Sequence, residues 1–103
     1  MAKIESIYFQ AQLLFHDNDV IRFKFPINNP IRISFKPLGA NHSLPCEISS
    51  DEPIHKNKTV EVQIMIPMSD LDGQIVEQKE FYIGTFPIIV GKGKILKIIS
   101  AAK

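Results

Sequence analysis

The chain has 103 residues, 45% of them hydrophobic and 22% charged, which is the size and composition of one small folded domain spanning 1–103. Twelve Lys and Arg residues against eleven Asp and Glu residues give a formal net charge of +1, which excludes a polybasic nucleic-acid-packing protein and a disordered acidic tail. The charge is nevertheless uneven. Residues 20–46 and 81–103 each contain four basic residues and no acid, whereas residues 47–80 contain three basic and eight acidic residues.

The start of the sequence and its cysteine content predict a compartment. A single cysteine, Cys46, cannot form an intramolecular disulfide. Polar residues such as Glu5, Gln10 and Gln12 interrupt the apolar stretch that a signal peptide needs. No segment approaches the roughly 18 apolar residues of a membrane-spanning helix. We therefore expect a soluble cytoplasmic protein without a membrane anchor.

The first half of the chain alternates apolar and polar residues, which is the pattern of strands with one buried face. Strands are predicted over 7–15, 21–25, 31–35 and 43–48. The Asx residues at 17–19 predict a turn, so that the first two strands would pair as a hairpin. The alternation places three aromatic residues of this half, Phe23, Phe25 and Phe35, on the core side.

The second half continues the same pattern. Strands are predicted over 60–66, 81–83 and 95–99, the last of them apolar on both faces. Pro67 ends the first of these because proline has no amide hydrogen for a strand ladder, and 69–73 has the composition of a turn. No window keeps a helical period for ten residues. The pattern as a whole predicts an all-β barrel or sandwich.

The stretch 81–93 resembles the end of the C-terminal β-barrel domain of elongation factor Tu. That family shows Phe-x-Ile, six further residues, and Val-Gly-x-Gly before a closing apolar strand. The residues that match in register and without a gap are Phe81, Ile83, Val90, Gly91 and Gly93. Segments 29–35 and 59–68 are similar to two other strands of the family, so the likeness runs from about Tyr8 to Ile99. It implies a translation-factor-like fold, a single small antiparallel β-barrel of six to seven strands.

Two of these matches have a physical interpretation of their own. Gly91 and Gly93 permit either positive φ or a close backbone approach at a kink that leads into the final strand. We interpret both as structural glycines rather than as part of a catalytic motif.

Departures from the family bear more directly on function. The family's charged, glycine-rich loop, which is associated with contact to the T-stem of aminoacyl-tRNA, is replaced here by the uncharged residues 84–89. The region 70–80 is longer than in the family. The Gly-x4-Gly-Lys-Ser/Thr motif of a nucleotide-binding loop is absent, so nucleotide hydrolysis is not expected of this chain. The resemblance implies a stand-alone relative of a non-catalytic barrel, with no cofactor.

Cations alternate with apolar residues on consecutive predicted strands, and pairing those strands would gather them on one outward face. This basic face consists of Arg22, Lys24, Arg32 and Lys36, to which Lys92, Lys94 and Lys97 would add. One interpretation is a docking surface for RNA phosphates or for an acidic protein. The other is a solvated face that protects a sheet edge or pairs across strands with Glu61, Glu77 or Glu80. Outward aromatic residues for stacking bases are not predicted.

A second candidate surface is the uncharged segment 86–90. Its apolar patch, Phe86, Pro87 and Ile88, is a protein-binding or dimer contact if it is exposed, and part of the core if it folds inward.

Metal and catalytic chemistry have weaker support. His42, Cys46 and His55 lack a fourth ligand and the spacing of a zinc site. Residues 16–19 and 70–73 are interpreted as turns rather than as a general base or a calcium loop.

The sequence therefore predicts a protein with no enzymatic activity and no metal. Its expected role is to bind another protein, either a different partner or a second copy of itself. The alternative is a translation-associated module that binds tRNA or the ribosome through the basic face.

Overall fold

The computed structural model describes residues 6–16, 25–67 and 76–102. The strands within these ranges are β1 (Ser6–Phe15), β2 (Ile31–Pro37), β3 (Leu44–Ser49), β4 (Thr59–Pro67), β5 (Glu80–Thr85) and β6 (Ile88–Ala102). All neighbouring strands are antiparallel, and they close into a barrel in the order β1-β4-β3-β2-β5-β6. The predicted all-β fold, a single small antiparallel barrel of six to seven strands, is confirmed. The three described ranges contain no helix long and apolar enough to cross a membrane.

The period of two along each strand explains how the barrel interior is filled. On β1, Phe9, Leu13 and Phe15 are fully buried, whereas Gln10 and Gln12 are exposed. Successive side chains of a barrel strand point alternately inward and outward, so one set lines the interior and the other meets solvent. In the described part of the chain no polar or charged side chain is buried. The interior is therefore an apolar core.

Three phenylalanines form the centre of this core. The ring of Phe35 on β2 lies 4.7 Å from Phe81 on β5 and 5.7 Å from Phe9 on β1, measured between centroids. Phe9 and Phe81 are 6.3 Å apart. Because β1 and β2 are not neighbours in the barrel, the contact of Phe9 with Phe35 crosses the interior. Burying each ring contributes roughly 1.5–3 kcal/mol relative to leaving it in water.

A short bridge covers one end of the barrel, where the connections after β1, β3 and β5 lie. Ile27 and Ile54 exchange two backbone hydrogen bonds, in which each N–H donates to the other carbonyl at 2.8 and 2.9 Å. Both side chains are buried. Phe25 packs edge-on against Phe15, with centroids 6.0 Å apart. The two buried isoleucines therefore cover the core at this end of the barrel, with their backbone groups paired to each other.

The predicted hairpin of β1 with a strand over 21–25 is wrong. Both edges of β1 are already occupied, by β4 along residues 6–14 and by β6 along residues 6–15. Phe25 lies in a bend, and residues 17–24 lie outside the described residues. Alternation identified β1 as a strand, but the partners of β1 come from residues 59–67 and 88–102, which no local turn signal indicates.

The last strand is longer than the predicted 95–99, because it already begins at Ile88 and passes through both structural glycines. A Cβ on Gly93 would overlap the carbonyl oxygen of Gln12 and come within 2.6 Å of the Phe81 ring. A Cβ on Gly91 would lie 2.8 Å from the carbonyl oxygen of Leu14. Neither glycine has positive φ. Close backbone approach is thus what these two positions require.

Candidate binding face

Strand register arranges the outward side chains in rows that cross the sheet. In one row, Tyr82 of β5 lies between Lys36 of β2 and Lys92 of β6, and Lys92 lies next to Leu14 of β1. In the adjoining row, Lys94 of β6 lies between Glu80 of β5 and Gln12 of β1. We call the outward surface formed by these two rows and by Phe86 the groove face. Its residues are Gln12, Leu14, Lys36, Glu80, Tyr82, Phe86, Lys92 and Lys94.

A groove of about 290 Å³ separates the two rows. Its floor is the backbone of Leu13, Phe81 and Gly93, three consecutive strand neighbours. The side chains of Leu13 and Phe81 point into the core, and Gly93 has none. The floor therefore consists of backbone, and the walls consist of the outward side chains on either side.

Phe86 extends the groove face at the turn between β5 and β6. Its ring is half-buried, and Lys36 Nζ lies 5.7 Å from the ring centroid, within the range of a cation–π contact. Ile88 packs against the core, whereas Pro87 is exposed at the turn. The predicted apolar patch therefore divides: Ile88 belongs to the interior, and Phe86 lies outside beside a lysine.

The predicted basic face is only partly described. Arg22 and Lys24 lie outside the described residues. Arg32 and Lys36 share the outward side of β2, but Arg32 Nε lies 3.6 Å from Oε2 of Glu47 on β3. Lys36 instead belongs to the groove face. The structure thus separates these two cations and places Lys36 in a row with Lys92.

Acidic residues lie among the lysines of β6. Glu80 is the register partner of Lys94, and the Glu77 carboxylate accepts a hydrogen bond from the Ile98 N–H at 3.4 Å, one residue from Lys97. Within the described ranges, neither Lys92 nor Lys94 forms an ion pair with an acid. The groove face therefore combines cations, one carboxylate and half-buried apolar groups.

Sequence reasoning missed Tyr82 and Leu14 as surface residues. The signal was present for both, because each follows a residue whose side chain is buried, Phe81 and Leu13 respectively. A period of two assigns the next side chain to the outside. Both are half-buried in the structure, so they retain apolar area that a partner would cover.

The residues considered for zinc do not come together. His42 lies in the connection after β2 and His55 in the connection after β3, at opposite ends of the barrel. Cys46 is buried, and this burial raises the pKa of its thiol to about 12, against the opposing effect of a backbone hydrogen bond at Ile33. No group of three His, Cys, Asp or Glu side chains that could hold a metal occurs in the described part. Residues 17–19 and 70–73 lie outside it.

A comparison with protein-family models and with curated proteins finds no match for this chain. The resemblance to the C-terminal domain of elongation factor Tu remains a prediction from the sequence, and the fold itself, a small six-stranded antiparallel barrel, is what the structure adds to it.

Proposed function

We propose that this chain is a non-catalytic β-barrel that binds another protein through the groove face. The observation that carries the proposal is the placement of half-buried Leu14 and Tyr82 beside Lys92 on the outside of the barrel. Phe86, also half-buried, lies beside Lys36 on the same face. Aromatic side chains at the centre of a patch with a charged rim are typical of protein interfaces. They bury a large area at a small cost in side-chain entropy.

The filled interior supports the non-catalytic part of the proposal. An active site inside the barrel would need a cavity in which ionisable or nucleophilic groups converge. Here Phe9, Phe35 and Phe81 occupy the centre of the barrel, and the buried side chains of the described residues are all apolar. Recognition is therefore assigned to the outer surface.

RNA binding is the second candidate, and one observation favours it. Tyr82 lies between Lys36 and Lys92 in a single row, an arrangement that offers a stacking surface between two phosphate-binding cations. Half-buried Leu14, the neighbour of Lys92, opposes it, because an aliphatic side chain offers apolar area to a protein but no stacking surface to a base. We therefore rank protein binding first.

The test compares variants of the full chain as bait in lysate of the source cells. Lys92→Glu alters the groove face, and Lys58→Glu is its matched control, because Lys58 is an exposed lysine just before β4. We expect a protein to be retained by the wild type and by Lys58→Glu but lost with Lys92→Glu. Equal retention by all three would overturn the assignment of the face.

A separate measurement addresses RNA. Binding to tRNA is measured at about 50 and 200 mM salt, because a complex held by several phosphate contacts weakens by orders of magnitude over this range. Tight, salt-sensitive tRNA binding that Lys92→Glu abolishes would replace the protein partner with RNA. Absence of binding at the lower salt removes the second candidate.

A further inference from the structure

We infer that the partner presents a short acidic segment with one large apolar side chain, and that this side chain enters the groove between Lys92 and Lys94. The inference rests on the proposed function and specifies the chemistry of the partner. It is carried by the shape of the groove and by the charges of its two walls.

The size of the groove fits one side chain. Its volume of about 290 Å³ lies just below the roughly 300–1,000 Å³ typical of small-molecule pockets. Leu14, the Tyr82 ring and the methylene stems of Lys92 and Lys94 supply the apolar part of a lining that also contains polar groups. Lysine can contribute in this way because its stem covers apolar surface while its ammonium stays in water. An aromatic or large aliphatic side chain would be the anchor.

An anchor can reach the floor because no side chain of the floor points outward. Between the two rows, Leu13 and Phe81 direct their side chains into the core, and a Cβ on Gly93 would also point inward, toward the Phe81 ring. Close approach of the Gly93 backbone to Gln12 and Phe81 keeps the floor continuous across β5, β6 and β1. A partner side chain would therefore lie directly on backbone, with a wall on each side.

Charge selects an acidic partner. The groove face contains three cations, Lys36, Lys92 and Lys94, and one acid, Glu80. Lys92 has Tyr82 and Leu14 as cross-strand neighbours and forms no ion pair with a described acid, so a carboxylate of a partner would be its first close counter-charge. Lys94 already lies beside Glu80. Glu80 lies in one wall only, so the acidic residues of the segment should lie along the other wall, which contains Lys92 and which Lys36 continues beyond Tyr82. A second copy that used the same face would place lysines against lysines.

The experiment titrates three capped pentapeptides into the ¹⁵N-labelled full chain. The probes are Glu-Glu-Phe-Glu-Glu, Glu-Glu-Ala-Glu-Glu and Lys-Lys-Phe-Lys-Lys, which separate the anchor from the charge. We expect the first to shift the amides of Tyr82, Lys92, Gly93 and Lys94 saturably. The second should bind about tenfold more weakly, since it lacks the anchor. The third should leave these amides unchanged.

Two variants localise the effect. Lys92→Glu should weaken the first probe at least about tenfold, whereas Lys58→Glu should leave its affinity unchanged. Equal binding of all three probes, or preference for the basic probe, overturns the inference. The inference is also overturned, in favour of RNA, if an oligouridylate shifts these amides and the acidic probe does not. If the probes fail but a protein captured from lysate still depends on Lys92, the proposed function stands and only this inference falls.

Discussion

The two sides of the barrel are held together very differently. β1 pairs along residues 6–14 with β4 and along residues 6–15 with β6, so β4, β1, β6 and β5 form one extensively hydrogen-bonded sheet. On the other side, β3 pairs with β4 only at residues 47–49, and β2 pairs with β5 only at residues 34–37. β2 and β3 thus form a two-stranded ribbon that closes the barrel through two short seams.

This difference indicates where the molecule is rigid. A two-stranded ribbon is at best marginally stable alone, so β2 and β3 depend on the side chains that they direct into the core. Regions with few inter-strand hydrogen bonds open first in native-state fluctuations. The walls and floor of the groove lie on the four-stranded sheet, and Lys36 of the ribbon lies next to Tyr82, beyond the groove itself. The candidate site is therefore built on the well-paired side, as a preorganised recognition surface requires.

The largest expected effect comes from removing the side chain that joins the two sides. Phe35 of the ribbon packs against Phe9 and Phe81 of the sheet. We expect Phe35→Ala to lower the free energy of unfolding by about 3–5 kcal/mol, because it leaves a cavity where ribbon and sheet meet. Urea denaturation monitored by circular dichroism measures this. Phe35→Leu, which keeps most of the apolar volume, serves as the control, and a loss below about 1 kcal/mol for Phe35→Ala would contradict the comparison.

The sequence predicted most strands and none of the long-range pairing. Alternation is local, so β1 and β4 were identified from their own residues, with 7–15 and 60–66 falling inside the observed bounds. The assumption that a turn implies a hairpin failed at β1, since its partners are distant in sequence. The predicted start of β6 is too late because Gly91 and Gly93 indicate a kink that leads into the final strand, whereas in the structure they lie within the strand and permit close packing.

The candidate site was less predictable than the fold. The sequence predicts outward cations on β2, but which side chains lie beside them depends on which strands are neighbours. Register placed Lys36 beside Tyr82 and Lys92, and Arg32 beside Glu47. The groove lies between two rows of outward side chains, above an inward-facing row in which Gly93 is the neighbour of Leu13 and Phe81. A single sequence does not contain this arrangement of three strands.

The second prediction tests the close approach within the well-paired sheet. Gly93→Ala introduces a Cβ that overlaps the Gln12 carbonyl oxygen and the Phe81 ring. We expect a loss of about 1–3 kcal/mol in the free energy of unfolding, since backbone must shift to make room. Gly39→Ala is the contrast: a Cβ there meets nothing within 4 Å, but the φ of +88° is strained for alanine, at a cost of roughly 1–2 kcal/mol. In hydrogen exchange, Gly93→Ala should increase exchange along β1 and β6, and Gly39→Ala should not.

The third prediction uses Cys46 on β3 to report on the ribbon. Burial raises the pKa of its thiol from 9.0 to about 12, so the unfolded chain loses this proton first as the pH rises. The contribution of the thiol to stability is therefore intact below pH 9 and decreases between pH 9 and 12, by about 1.4 kcal/mol per pH unit. Other groups titrate in this range, and the comparison with Cys46→Ala isolates the thiol. The free energy of unfolding of Cys46→Ala should fall less steeply between pH 9 and 12 than that of the wild type. If the two curves are parallel, the effect assigned to the buried thiol is contradicted.

The same cysteine distinguishes local opening from global unfolding. A thiol reagent at pH 8 should label Cys46 slowly in the native protein, through transient opening of the ribbon seams. Because such a partial opening exposes less surface than unfolding of the whole barrel, the logarithm of the labelling rate should change less with urea concentration than the logarithm of the global unfolding constant does. Equal urea dependence would mean that the ribbon opens only when the whole barrel unfolds.

The smallest effect is expected at the surface of the ribbon. The Arg32–Glu47 ion pair joins β2 and β3 at 3.6 Å, but the Arg32 side chain is 87% exposed. Exposed pairs are screened by water and salt, so Arg32→Ala should change the free energy of unfolding by no more than roughly 0.5 kcal/mol. A double-mutant cycle with Glu47→Ala, at low and high salt, measures the coupling itself. Coupling above about 1 kcal/mol would mean that contacts on the outer surface stabilise the ribbon substantially. It would contradict the view that the ribbon is held mainly through side chains in the core, such as Phe35.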